Sequence, residues 1–150
     1  MNKITAAITS VVTVFGALYL FSMTLSPKWE VQRSVYINAN PDSVVKYVNS
    51  VSGWKKWNNF AAKRGFDSVK AINGKENSFN YLATSEKTGT TEKSTIRLIR
   101  SNFGTYVYVK VEGKTETSPL TRYLMLMHSN IYSDELQKDL AGLKHSVEKR

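Results

Sequence analysis

The sequence predicts an α+β fold in which an antiparallel sheet packs against a long C-terminal helix and one apolar helix precedes the sheet. Three patterns predict it. Residues 4–25 contain no charged side chain, which is typical of a membrane-spanning helix. Residues 105–112 alternate between valine and tyrosine or charged side chains, as a half-buried strand does. Near the C-terminus, apolar residues recur at steps of four, three and four, the period of a buried helix face; they are Leu136, Leu140, Leu143 and Val147.

The composition is that of a globular protein, and it excludes several kinds of functional site. Of its 150 residues, 41% are hydrophobic and 22% are charged, and the formal net charge is +9. There is no cysteine, which excludes disulfides, zinc ribbons and thiol catalysis. The two histidines, His128 and His145, do not form a paired ligand motif, so we expect neither a metal site nor a cofactor.

The N-terminal apolar run is long enough to cross a membrane. At about 1.5 Å per residue, a helix over residues 4–25 matches the roughly 30 Å hydrocarbon layer. A cleaved signal peptide is the alternative, but residues 20–22 lack the small-x-small cleavage pattern, and Pro27 follows the next candidate bond. We therefore predict an uncleaved single-pass anchor in residues 1–27 and a domain in residues 28–150. The short tail before the span favours a domain on the extracytoplasmic side, although the flanking positive charges are nearly balanced.

The domain opens with a strand and two short helices. Residues 29–38 alternate in polarity and predict the first strand. Asn40 and Pro41 predict a helix start, with Asn40 as N-cap. The Ser52–Gly53 pair is expected to break that helix. A second short helix then presents Trp54 and Trp57, three residues apart, on one face.

Four strand segments separated by turn-forming residues follow; they are residues 66–72, 79–84, 94–100 and 105–112. Ser118 and Pro119 then open a helical region. A first apolar set repeats the four, three, four steps of the later one, and a step of five separates the two sets; the first set is Leu120, Leu124, Met127 and Ile131. This break in phase predicts a kink near Ser133, with Ser133 as the N-cap of a closing helix that ends near Lys149.

The order of these elements and two stretches of sequence resemble a known family. The stretches are WEVQRSVYINANPDSVVKYVNSVSGWKKW and SPLTRYLMLMHSNIYSDELQKDLAGLKHSVEK. They are similar to the opening and closing segments of the START-like, polyketide cyclase/dehydrase-type (SRPBCC) family, above all of members with an N-terminal membrane helix. The resemblance implies the helix-grip fold, with a cavity between sheet and closing helix. Residues 60–79 leave room for one strand, so we expect a sheet about two strands shorter than in the family.

Aromatic residues are the best candidates for a binding site. The residues expected to contact an apolar ligand are Trp54, Trp57, Tyr81, Tyr106, Tyr108, Met125 and His128. Basic residues interleave with the tryptophans and suit a membrane surface or an anionic head group; they are Lys55, Lys56, Lys63 and Arg64. The alternative is that both tryptophans fill the core and the tyrosines form the solvent face of the sheet.

Three functions remain open. We favour a membrane-tethered, non-catalytic module that binds membrane lipids or another hydrophobic small molecule. A protein-interaction domain without a ligand cavity is the alternative. A cyclase/dehydrase-type enzyme is the third, and we predict no catalytic residue because neither histidine has a visible partner. Long basic runs and zinc-finger patterns are missing from the sequence, so nucleic acid is not an expected partner.

Overall fold

The computed structural model describes residues 2–59, 63, 65–72, 74, 77–86, 89–114 and 118–149, apart from the side chains of residues 119 and 120. Its elements, in chain order, are α1 (Lys3–Thr24), β1 (Lys28–Ile37), α2 (Pro41–Val48), α3 (Val51–Trp57), β2 (Ser68–Ile72), β3 (Ser78–Ser85), β4 (Thr90–Arg100), β5 (Thr105–Lys114) and α4 (Pro119–Glu148).

The five strands form one antiparallel sheet in the order β1-β5-β4-β3-β2. Between α3 and β3 the described residues contain a single strand, β2, as the spacing predicts. β4 begins at Thr90 rather than Ser94, because its polar first residues pair with both neighbours: Thr91 lies opposite Thr84 of β3 and Lys114 of β5. This earlier start places Glu92 inside the sheet, on the face that also carries Ile96.

α4 covers that face of the sheet, and the apolar side chains between them form the core. The predicted C-terminal stripe is confirmed, since Leu136, Leu140, Leu143 and Val147 are all at most 4% exposed. It belongs to the same core cluster as the inward valines of β5, which are Val107, Val109 and Val111. The α+β fold predicted from the periodicity is therefore correct in class and in the position of its core.

The kink predicted at Ser133 is wrong, because α4 is a single helix and Ser133 is a buried residue inside it. A step of five residues turns a helix by about 140° beyond a full turn. The two apolar sets therefore cannot both face the sheet from one straight helix. The first set does not face the core, because Leu124, Met127 and Ile131 are exposed. Tyr132, four residues before Leu136, is buried instead.

The two short helices follow the prediction except at their junction. Pro41 opens α2 with Asn40 at the N-cap position, although the Asn40 side chain makes no capping hydrogen bond. The chain breaks at Ser50 and not at Ser52–Gly53, because the Ser50 hydroxyl accepts from the Gly53 amide at 3.0 Å and caps α3. A β-carbon at Gly53 would lie 2.8 Å from the Tyr47 carbonyl oxygen, so glycine permits α3 to approach α2.

α1 stands apart from this core. Among the described residues it is the one helix long and apolar enough to cross a membrane, with a mean hydropathy of 2.0 and an 18-residue stretch in which no residue is buried. Ser22 is its single buried residue. α1 packs against α4, at the end where the chain leaves α1 for β1.

Candidate functional site

The first half of α4 exposes four large apolar side chains, which we call the α4 apolar face. Their exposed fractions are 53% for Leu124, 54% for Leu126, 67% for Met127 and 57% for Ile131. Leu124, Met127 and Ile131 share one side at steps of three and four, and Leu126 extends it past Tyr123. A cluster of this kind on a soluble surface marks a contact with a membrane or another apolar partner.

This half of α4 is attached to the end of α1 through two neighbouring side chains. Nη1 of Arg122 donates to the carbonyl oxygens of Ser22 at 3.0 Å and Met23 at 3.2 Å. The Tyr123 hydroxyl donates to the Leu18 carbonyl at 2.6 Å, and its ring stacks on Phe21 with centroids 6.3 Å apart. Arg122 thus meets the negative end of the α1 dipole, where a cation is favoured.

Beneath the same part of α4 lies a group that we call the proximal cluster: Trp29, Glu92, His128 and Tyr132. The Trp29 and Tyr132 rings have centroids 4.9 Å apart, and the His128 ring lies 6.3 Å from Trp29 and 6.2 Å from Tyr132. The Tyr132 hydroxyl donates to Oε2 of Glu92 at 3.3 Å. Glu92 is 2% exposed, so a carboxyl group lies within the core and accepts a hydrogen bond from one of these rings.

Trp54, Trp57 and Tyr81 are core residues. All three are at most 3% exposed, and Trp54 stacks on Tyr81 with ring centroids 5.4 Å apart. Nε1 of Trp57 donates to the Tyr47 carbonyl at 3.1 Å, and the Tyr81 hydroxyl donates to the Val48 carbonyl. Burial raises the pKa of Tyr81 to about 12, so this donor is protonated at neutral pH. These contacts hold α2 and α3 against the sheet.

Tyr106 and Tyr108 lie on the opposite, outer face of the sheet and are 41% and 44% exposed. An open groove of about 710 Å³ passes Tyr108, Arg97 and Lys110 on this side. Lys110 forms ion pairs of 2.9 Å with Glu30 and with Glu112. Hydrogen bonds to Glu112 and Glu30 raise the pKa of Lys110, so this lysine is charged and already paired with two carboxylates.

The predicted apolar-ligand residues therefore do not form one site. The core holds Trp54, Trp57 and Tyr81, and the outer face holds Tyr106 and Tyr108. The half-buried Met125 and His128 belong to the first half of α4. Of the predicted membrane-surface residues, Lys55, Lys56 and Lys63 are exposed, and Arg64 lies outside the described residues. Lys55 and Lys56 lie on α3, which packs against α2, α4 and β2, whereas α1 packs against α4.

Sequence reasoning missed Trp29, Glu92 and Tyr132. Two signals were present for them. Extending the alternation of β4 backward from Ile96 reaches Glu92, and stepping back four residues from Leu136 reaches Tyr132. The alternation of the first strand places Trp29 on the same side as Val31 and Ile37, but only the pairing of strands shows what covers it.

Comparison with known proteins rests on the fold. No protein-family model matches the sequence, and no curated protein matches it. Among solved structures, the chain is similar to a START superfamily protein from Mycobacterium smegmatis, with 12% identity, a TM-score of 0.53, and 80% of this chain and 97% of that one covered. The chain has the START-like fold.

Two further START-like structures are aromatase/cyclases. ZhuI from Streptomyces sp. R1128 is 12% identical with a TM-score of 0.52, over 82% of this chain and 95% of that one. The di-domain protein BexL from the BE-7585A biosynthetic pathway is 11% identical with a TM-score of 0.56, over 97% of this chain and 61% of that one. At these identities the likeness shows the fold alone, and it confirms the helix-grip architecture predicted from the sequence.

The START-like domain presents different chemistry at its two faces. Among the described residues, no group of three or more His, Asp or Glu side chains is placed to hold a metal ion. The side chains between the sheet and the second half of α4 are fully buried, including Trp54, Leu136 and Leu140. The grooves that described residues line lie on the outer face and along the edges of the domain. The exposed large apolar side chains cluster on α1 and on the first half of α4.

Proposed function

We propose that the protein is a membrane-tethered, non-catalytic START-like module that binds a lipid or another hydrophobic small molecule. α1 is the tether, and the domain lies on the extracytoplasmic side. The observation that carries the proposal is the continuity of apolar surface from α1 to the first half of α4, held by Arg122 and Tyr123. An apolar ligand that leaves the bilayer along α1 meets the domain at this end.

The proximal cluster is the best location for the ligand. Met125 is half-buried and packs against the core next to it, so a flexible thioether and three aromatic rings border the region where α4 emerges from the core. Apolar walls with a few fixed polar groups are what small-molecule sites in proteins consist of. Tyr132 and Glu92 supply such polar groups for a hydroxyl or an amide of the ligand.

Native mass spectrometry of the full chain, released from detergent micelles after purification from membranes, tests this function. We expect one bound hydrophobic molecule per chain. Met125→Arg places a charge beside the cluster and should remove the adduct, whereas Tyr108→Arg on the outer face should retain it. Tryptophan fluorescence of both variants controls for folding, because all three tryptophans are buried in the native state.

One outcome would move the ligand to a different site, and another would overturn the proposal. Loss of the adduct in Tyr108→Arg alone would place the ligand in the outer groove. A wild-type chain without any adduct would favour a protein-interaction domain, a function for which the filled core between the sheet and the second half of α4 is the supporting observation.

A further inference from the structure

The exposed side of α4 changes character along its length. In the first half it carries Leu124, Leu126, Met127 and Ile131, with Asn130 as the exposed polar residue among them. In the second half the exposed residues are Asp134, Gln137, Lys138, Ala141, Gly142, His145, Ser146, Glu148 and Lys149. Residues 119–133 contain one arginine, one histidine and no acidic residue, and the acids begin at Asp134. One helix therefore presents an apolar surface at one end and an ordinary solvated surface at the other.

The apolar end is the end that is attached to α1. Tyr123 lies between Leu126 and Met127 on the exposed side and donates to the carbonyl of Leu18, and Arg122 holds the last carbonyls of α1. These contacts place the α4 apolar face beside the final two turns of α1. In a helix that spans the bilayer, the final turns lie where hydrocarbon meets head groups, the depth at which tryptophan and tyrosine rings collect.

We infer that the first half of α4 is a second membrane-contacting element, which lies in the interfacial layer on the side where α1 ends. The inference rests on the proposed role of α1 as a membrane tether. Its occupant is the lipid bilayer, not a second copy of the chain, because the apolar surface of the face continues into that of α1. Lys28 and Lys114, which pair across β1 and β5 at the same end of the domain, are exposed and attract anionic head groups.

This arrangement has a consequence for the domain. A single helical tether leaves a domain free to rotate, whereas two contacts fix its face towards the membrane. Met125 and His128 lie on the same turns of α4 as Leu124 and Met127 but on its inner side, so the proximal cluster is then held one helix diameter from the head groups. About 20 Å of helix, the first half of α4, would rest on the surface.

The test uses the absence of cysteine from the natural chain, so that single cysteines can be labelled with an environment-sensitive fluorophore. The full chain is reconstituted into vesicles of phosphatidylcholine and phosphatidylglycerol that contain nitroxide-labelled lipid, with the nitroxide either near the head group or deep in the acyl chains. Met127→Cys and Ile131→Cys report on the apolar face. Ala141→Cys, an exposed site on the same helix, is the matched control, and Phe15→Cys reports on α1.

We expect a blue-shifted emission at Met127→Cys and Ile131→Cys, and quenching by the shallow nitroxide about twofold stronger than at Ala141→Cys. The label at Phe15→Cys should be quenched most by the deep nitroxide. Emission and quenching at both α4 sites equal to those at Ala141→Cys would overturn the inference. A blue shift without quenching would also overturn it, because a protein surface then covers the face. Failure of the label at Phe15→Cys to meet lipid would instead overturn the tether itself, so the two failures are distinguishable.

Discussion

Single residues decide how closely the layers of this domain approach. Gly113 lies opposite Trp29 in the β1–β5 register, and a β-carbon on Gly113 would lie 2.2 Å from the Trp29 ring. Glycine at this position allows Trp29 to lie flat on the sheet and to reach Tyr132. Tyr81 acts in a comparable way on the other side of the core, where its hydroxyl ties β3 to the end of α2.

The Gly113→Ala substitution should destabilise the fold by about 1 to 3 kcal/mol, as overpacking of a core does. Gly142→Ala is the matched control, because nothing lies within 4 Å of the β-carbon it would add on the exposed side of α4. We expect that control to raise the free energy of unfolding by about 0.5 to 1 kcal/mol, through helix propensity. Denaturant unfolding of the full chain in detergent, followed by tryptophan fluorescence, measures both; equal stability of the two variants would contradict the packing of Trp29 on Gly113.

Tyr81 should make the stability of the domain depend on pH in the alkaline range. The ordinary pKa of tyrosine is 10.0, and burial raises that of Tyr81 to about 12. The unfolded chain therefore releases this proton first, so the contribution is complete below pH 10 and is lost as the pH rises towards 12. We expect the free energy of unfolding of the wild type to fall about 1 to 2 kcal/mol more than that of Tyr81→Phe over this range.

The control for that measurement is Tyr106→Phe, which removes an exposed tyrosine hydroxyl from the outer face. It should keep the alkaline loss of stability that the wild type shows, including the part that lysines contribute. A parallel pH dependence in Tyr81→Phe and Tyr106→Phe would mean that Tyr81 is accessible to water in the folded protein.

At the scale of elements, α4 does two different things with one continuous helix. Its second half packs on the inner face of the sheet, and its first half extends beyond the core and contacts α1. The step of five residues between its two apolar sets is what makes this possible, because it turns the first set away from the sheet without interrupting the helix. β4 is similarly mixed, since it carries both the core residue Ile96 and the buried Glu92.

Substitutions in the two halves of α4 should therefore differ in their effect on stability. Leu140→Ala should cost about 2 to 5 kcal/mol, the range for large-to-small changes in a core, because Leu140 is fully buried. Leu124→Ala should change the free energy of unfolding by less than about 0.5 kcal/mol, because Leu124 is half exposed. Denaturant unfolding compares them, and a small effect at Leu140 would mean that α4 does not pack in the sheet as the structure shows.

At the scale of the whole molecule, the START-like domain and α1 form a unit through Arg122 and Tyr123, and the linker between α1 and β1 is only residues 25–27. With α1 as the proposed tether, a domain held so close to it would sample few orientations relative to the bilayer. The proposed binding site would then have direct access to membrane lipids.

An uncleaved anchor is the premise of that arrangement. We expect the intact mass of the membrane-extracted protein to equal that of the full chain, 16.9 kDa. The reason is that the end of α1 lacks a good cleavage pattern, and Ser22 is buried against α4. Mass spectrometry showing the loss of about the first 22 to 26 residues would contradict this and would leave the domain free of the membrane.

The element order, the apolar N-terminal helix and the C-terminal stripe from Leu136 to Val147 could be predicted from the sequence. These depend on the periodicity of a single segment, which the local chain carries. The sequence also placed the alternation of β5 correctly, so that Val107 faces the core while Tyr106 and Tyr108 face outward.

What each periodic surface contacts could not be predicted in this way, because it depends on how the elements pack. Whether Leu124 or Tyr132 faces the sheet depends on how far α4 extends beyond the strands. Whether Trp54 lines a site or fills the core depends on Tyr81, which is distant in sequence. The proximal cluster joins side chains from β1, β4 and α4, and the pairing Trp29–Gly113 that shapes it is a property of strand register. Such contacts arise from packing between elements, and no segment encodes them alone.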